Sequence, residues 1–259
     1  MTRPLVIAHR GSSGERPENT LSAFERAVLQ SADMIETDLH LSRDGVVVIH
    51  HDPELERLGE SGEIRDHTAS ELAAMNAAPG VAVAEKMPTL LDVLDGFGER
   101  MQFNLELKVG RGDVAYDGLE DLVLSAVEAR GLMPRMLFSS FYDPVLARLR
   151  ERSASARIAL LVSPRAPIAI FERAARLAAE AINPDVRLVT ASLVDQAHAA
   201  DLRVYPYTAN EPEEMIRLLD CGVDGIITNH PARLHAVLDE RPDRGLGGGS
   251  GALAGTRSG

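Results

Sequence analysis

The stretch LVIAHRGSSGERPENTLSAFERAVLQSADMIETDLH, residues 5–40, decides the fold. It opens on a short apolar run (LVIAH, 5–9), crosses a loop marked by Gly and Pro, and enters an amphipathic segment (TLSAFERAVLQSA, 20–32). It then returns to a second run, MIETDL at 34–39. Strand, helix and strand in that order form a βαβ unit, whose strands lie parallel. The alternation continues along the chain, with candidate strands at 101–108, 136–141, 157–162, 181–184, 203–208 and 225–229. Helical patterns lie between them at 89–98, 118–131, 143–152, 168–181, 190–200, 211–222 and 231–240. Eight strand–helix pairs predict an α/β fold of the (β/α)8 TIM-barrel type, with a doubly wound open sheet as the alternative. VVVIH (46–50) reads as a hairpin partner of the second strand.

Two regions stand outside the repeat. Residues 53–88 are too long for a simple connection and are expected to form a loop insertion over the C-terminal face of the barrel, with a short helix at SELAAM. Residues 241–259 (RPDRGLGGGSGALAGTRSG) are rich in Gly, Ser and Ala and cannot build a core, so a flexible tail is expected there and a barrel domain over 1–240.

Composition narrows the function. At 45% hydrophobic and 25% charged, the chain matches a globular protein with a sizeable core. A formal net charge of −12 argues against nucleic acid and anionic membrane surfaces as partners. The one cysteine, Cys221, excludes an internal disulfide. The N-terminal LVIA run is too short for a signal peptide, and no stretch approaches the length of an apolar membrane span. A cytoplasmic protein is expected.

The chemistry sits on alternating strand positions. In MIETDLH, Ile35, Thr37 and Leu39 share one face while Glu36, Asp38 and His40 share the other. In QFNLELKV, Phe103, Leu105, Leu107 and Val109 oppose Asn104, Glu106 and Lys108. The apolar sets should pack under the outer helices and the polar sets should face the barrel interior. Charges there are costly unless paired or bound to a metal. Barrel enzymes place their catalysis at the C-terminal strand ends. Glu36, Asp38 and Glu106 are therefore candidate ligands of one hard divalent cation, Mg²⁺ or Ca²⁺, although a structural ion network with Arg10 and Lys108 would also satisfy them. His9 and Arg10 close the first strand, and either His50 or His51 faces the site from the hairpin. Two imidazoles beside a metal-bound phosphodiester could share acid and base duty. Arg10 and Lys108 would neutralise the phosphate.

The ordered set HRG (9–11), PENT (17–20), E-x-D (36–38), DG (44–45) and HD (51–52) closely resembles the glycerophosphodiester phosphodiesterase family. PTL (88–90), N-x-E-x-K (104–108), SF (140–141) and G-x-D-G-I-I-T (222–228) extend the resemblance over most of residues 5–235. It implies a TIM barrel with a metal on Glu36, Asp38 and Glu106. It further implies His9 and His51 as the acid/base pair, Arg10 and Lys108 on the phosphate, and Phe141 near the substrate. Where the family usually has Trp-Thr-Val-Asn, this chain has Tyr207-Thr208-Ala209-Asn210, and Tyr207 is expected to supply the substrate wall. The family's common Asp after I-I-T is Asn229, expected to be peripheral to the metal. Asn19 of PENT is expected to do turn and helix-cap duty. The reaction implied is metal-assisted hydrolysis of a small glycerophosphodiester to sn-glycerol 3-phosphate and an alcohol. A lysophospholipase D-like or sphingomyelinase D-like activity on a lipid, a non-catalytic phosphate-binding barrel and a sugar-isomerase-like barrel are the competing readings.

Overall fold

The computed structural model describes residues 3–241, so most of the expected tail, 242–259, lies outside the described residues. The chain runs β1 (Leu5–His9), α1 (Leu21–Leu29), β2 (Met34–Leu41), β3 (Val47–Ile49), α2 (Ala69–Ala74), α3 (Leu90–Phe97) and β4 (Gln102–Leu107). It continues through α4 (Leu119–Glu128), β5 (Met136–Ser140), α5 (Asp143–Arg152), β6 (Arg157–Val162), α6 (Ile170–Arg176), β7 (Ala181–Pro184) and α7 (Ala191–Ala199). It ends with β8 (Arg203–Val204), α8 (Pro212–Asp220), β9 (Gly225–Thr228) and α9 (Pro231–Asp239). The strands pair in parallel in the order β8-β7-β6-β5-β4-β2-β1-β9, and β3 pairs antiparallel with β2 as a hairpin. Between β9 and the β8 region, Asp224 N donates to Val204 O and Ile227 N to Pro206 O, while Ala209 N donates to Ile227 O. These bonds draw the sheet into the (β/α)8 TIM barrel that the periodicity predicted.

Local sequence accounts for most element boundaries. Thr20 caps α1 by accepting from Ala23 N, Thr190 caps α7, and Thr89 with Asp92 closes a capping box on α3. Two elements are shorter than their sequence patterns. β8 stops at Val204 instead of 208 because Pro206 has no N–H for a regular ladder. α6 ends at Arg176, and Ala178 turns the chain at φ 47.

The large core lies between strands and helices, where Ile35, Leu39, Phe103, Leu105 and Leu107 pack outward as their alternation required. Phe24 of α1 packs edge-on against both Phe97 and Phe103. Inside the barrel, Ile7, Met34, Leu137, Ala159, Ala181, Tyr205 and Ile227 fill the lower layer. That apolar plug confines the polar interior positions to the C-terminal end of the strands. Residues 53–88 carry a small core of their own: Leu55, Ile64, Leu72 and Met87 close around Val48 of β3. The helix expected at SELAAM is α2, with Thr68 and Glu71 forming its capping box.

Candidate active site

Strand register brings the acidic residues together. Glu36 stands opposite Asn104 and Asp38 opposite Glu106 across β2 and β4, while His9 of β1 stands opposite Glu36. Each of Glu36, Asp38 and Glu106 offers one carboxylate oxygen, and the three oxygens lie within 4.8 Å of one another. All three side chains are buried. Such a group could hold a metal ion, and its oxygen-only donor set suits a hard cation.

Both interpretations of the carboxylates find a counterpart, and their difference falls on Glu36. Arg10 Nε lies 3.2 Å from Asp38 Oδ2, and Lys108 Nζ lies 2.8 Å from Glu106 Oε1. Lys108 Nζ is also 3.3 Å from Asp38 Oδ1, an ion-pair contact without hydrogen-bond alignment. The structural ion network therefore exists. It leaves Glu36 with the Arg10 backbone N–H at 3.0 Å and, as its one ion-pair contact among the described residues, the His9 ring at 3.9 Å. Burial, followed by repulsion from Asp38 and Glu106, raises the Glu36 carboxyl well above its ordinary range. Burial also raises Glu106, against the pull of Lys108. Asp38 resists burial and stays below the usual carboxylate range because Lys108 and Arg10 face it. Burial opposes charge on Lys108 too, but Glu106 and Asp38 hold its ammonium above the ordinary lysine value. Three acids against two fixed cations, with burial pushing Glu36 and Glu106 toward their neutral forms, fit a site completed by a divalent ion.

The two imidazoles flank this cluster with their Nδ1 atoms engaged. His51 Nδ1 lies 2.6 Å from Asp52 Oδ1, and His9 Nδ1 lies 2.6 Å from Asn229 Oδ1. With an acceptor on Nδ1, the proton sits there and Nε2 is left to the site. Burial is the main cause that lowers both rings, His9 to about 4 with Arg10 adding to the effect. His51, not His50, lines the cavity, which also takes in Arg10, Lys108, Phe141 and Tyr207. Phe141 and Tyr207 meet edge-on with ring centroids 5.8 Å apart, and the Tyr207 hydroxyl donates to Val162 O. All nine sequence-predicted residues thus share one cavity or its immediate wall. The turn that lifts His9 and Arg10 into it requires Gly11, whose φ is +80 and whose added Cβ would stand 2.7 Å from the backbone of Ala23.

Several supporting residues differ from expectation. Asn19 does not cap α1, since Thr20 does. Held at φ 57, Asn19 instead donates to Asp38 Oδ2 at 2.8 Å and accepts from Thr37 Oγ1 at 2.8 Å, fixing the carboxylate. Asn229, expected to be peripheral to the metal, stands outside the three-carboxylate group but still takes part in the site through its 2.6 Å contact with His9. Glu18 bridges Arg10 at 3.1 Å and Arg57 at 3.2 Å, and Arg57 reaches Asp52 at 3.1 Å. PENT and HD flagged the neighbourhood of Asn19, Glu18 and Asp52, but nothing local in the sequence pointed to Arg57. His40 is a buried structural histidine between Tyr116 Oη and His51 O.

Fold and site together define a TIM barrel with a carboxylate–imidazole centre at its C-terminal mouth. The chain belongs to the glycerophosphoryl diester phosphodiesterase family, whose model matches residues 9–233. It is 33% identical over 244 residues to a glycerophosphodiester phosphodiesterase of Caldanaerobacter subterraneus subsp. tengcongensis, covering 90% of this chain and 96% of that one. Among solved structures it resembles an Oleispira antarctica phosphodiesterase in complex with the product sn-glycerol-3-phosphate, with TM-score 0.77 and 31% identity. That match covers 91% of this chain and 97% of the other. A glycerophosphodiester phosphodiesterase of Thermotoga maritima matches with TM-score 0.73 and 25% identity, over 92% and 100% of the two chains. No helix of the described residues is long and apolar enough to cross a membrane.

Proposed function

We propose that this chain is a cytoplasmic enzyme that hydrolyses small glycerophosphodiesters to sn-glycerol 3-phosphate and an alcohol, with one divalent cation, Mg²⁺ or Ca²⁺, held by Glu36, Asp38 and Glu106. The observation that carries this reading is the convergence of three buried carboxylate oxygens within 4.8 Å of one another, in a cavity shared with two imidazoles. The product complex of the Oleispira antarctica relative supports sn-glycerol 3-phosphate as the product.

When bound, the cation would polarise the phosphoryl oxygens and acidify a hydroxyl, from water or from the glycerol itself. The remaining work falls to the side chains. One imidazole, unprotonated at Nε2, takes the proton of the attacking hydroxyl as that oxygen bonds to phosphorus. The phosphorus–oxygen bond to the alcohol breaks, and the other ring, entering as the imidazolium with protons on both nitrogens, gives its Nε2 proton to the departing oxygen. Asp52 and Asn229 orient His51 and His9 for these transfers through the two Nδ1 contacts. Arg10 and Lys108 offset the phosphate charge, and their carboxylate partners hold them in place beforehand. Phe141 and Tyr207, which line the same cavity, wall the substrate.

Release of glycerol phosphate from glycerophosphocholine tests the reading. Turnover is expected with Mg²⁺ or Ca²⁺, should vanish in EDTA and should return when metal is restored. Undiminished turnover in EDTA, or no release with either metal, overturns it.

A further inference from the structure

Two buried polar groups on the floor of the cavity have no part in the chemistry above. Asn104 on β4 is 1% exposed and Ser139 on β5 is fully buried. The Asn104 Oδ1 and Ser139 Oγ atoms nevertheless have no hydrogen-bond partner among the described residues. Buried polar atoms in native proteins are almost always partnered, because leaving one unpaired is destabilising. Both residues line the same cavity as His9, Glu36 and Glu106, a space of about 80 Å³, well above the roughly 10–15 Å³ that one water needs. Register sets Asn104 between Glu36 and Leu137 and sets Ser139 beside Glu106, so the two orphaned groups stand on a diagonal across β4 and β5, each next to a carboxylate. Leu161 and Ile227 supply an apolar wall to the same cavity.

We propose that Asn104 and Ser139 form a subsite for the vicinal diol of a glycerol moiety, which makes them specificity-determining residues of the reaction proposed above, on which this inference rests. The Asn104 carbonyl accepts from one substrate hydroxyl. The Ser139 hydroxyl, able to donate or accept, serves the second. Leu161 and Ile227 face the carbon skeleton. A site whose buried polar atoms wait for substrate hydroxyls discriminates strongly against an analogue that lacks them, because binding the analogue buries those atoms unpaired. In this arrangement the glycerol end would occupy the buried side of the cavity and the variable alcohol would face the mouth.

The test is a comparison of Kd values by titration calorimetry on the full chain with Mg²⁺. The two probes are sn-glycerol 3-phosphate and n-propyl phosphate, which have the same carbon count and charge but differ in two hydroxyls. Wild type should prefer the diol by tenfold or more. Ser139→Ala and Asn104→Leu should each reduce that preference roughly tenfold or to parity, since losing one partner of a substrate hydroxyl is an effect of about that size. Equal binding of both probes by wild type overturns the inference without recourse to a variant. Variants that keep the wild-type ratio also overturn it, because the preference would then come from the cation alone. A weakened Mg²⁺-induced melting shift in Asn104→Leu would make Asn104 a cation ligand and overturn its assignment to the diol. The Ser139→Ala protein, which loses a single oxygen, remains informative if the Asn104 variant does not fold. Failure of the glycerophosphodiester reading has a different signature: neither phosphate binds wild type and glycerophosphocholine is not hydrolysed.

Discussion

Of the three site carboxylates, Glu36 is the one that the protein alone accommodates least well. Asp38 and Glu106 each have a fixed cation at ion-pair distance, whereas Glu36 is buried, faces two like charges and has an imidazole at 3.9 Å as its nearest counterpart. Removing its charge should therefore help the protein without metal and ruin it with metal. Glu36→Gln is expected to melt higher than wild type in EDTA, by roughly 2–4 °C for each kcal/mol of repulsion relieved. It should lose the Mg²⁺-induced melting shift, and turnover should fall roughly 100-fold or more, since even the outer partners of metal ligands cost 10–100-fold. Differential scanning fluorimetry with and without Mg²⁺, beside the glycerophosphocholine assay, decides it. A variant with wild-type turnover would remove Glu36 from the site. At this scale the sequence was legible wherever side-chain alternation settles the matter: the period of two in β2 and β4 sorted Glu36, Asp38 and Glu106 from Ile35, Leu39 and Phe103. It was not legible for Asn19 and Asn229, whose partners are chosen by the folded chain. Asn229 meets His9 across 220 positions.

The loop from His51 through the 3₁₀ turn at Glu56–Leu58 links residues 53–88 to the chemistry. Arg57 sits on that turn and joins Asp52 to Glu18, so a run of alternating charges passes from Asp38 through Arg10, Glu18, Arg57 and Asp52 to His51. Arg57 is 57% exposed in its side chain, and exposed ion pairs contribute at most about 1 kcal/mol to stability. Its effect should therefore appear in the rate more than in folding. Arg57→Ala is expected to lower kcat roughly tenfold by loosening the Asp52–His51 pair, while its melting temperature stays within about 4 °C of wild type. Arg57→Lys should recover part of the loss. Full kcat in Arg57→Ala would show that Asp52 holds His51 unaided. The elements themselves were readable because Thr caps and Pro starts punctuate a regular repeat. Where a single residue breaks the backbone pattern, as Pro206 does in β8 and Ala178 after α6, the apolar run overstated the element. The small core around Leu55, Ile64, Leu72 and Met87 has no period to betray it, so residues 53–88 read as a loop.

At the scale of the whole molecule, the barrel concentrates titratable groups at one buried end while the surface carries the excess of acid. Burial lowers His9 to about 4, His40 to about 3 and His50 to about 4, all from an ordinary value near 6.5. Between pH 6.5 and 4 the unfolded chain therefore binds protons that the folded chain refuses. Stability is fully present above pH 6.5 and declines on acidification by up to roughly 1.4 kcal/mol per pH unit for each such histidine. Glu36 and Glu106 act in the opposite sense. Their raised values make the folded protein without metal the better proton acceptor above the ordinary carboxylate range, so their protonation offsets part of the decline. A bound cation keeps those carboxylates ionised and removes the offset, and acid then also drives the ion off. Urea midpoints measured from pH 7 to 5 should fall in both states, and should fall more steeply in saturating Mg²⁺ than in EDTA. Equal slopes would mean that the carboxylates are not protonated in the metal-free fold. A shallower slope with Mg²⁺ would mean that the ion does not bind at these oxygens.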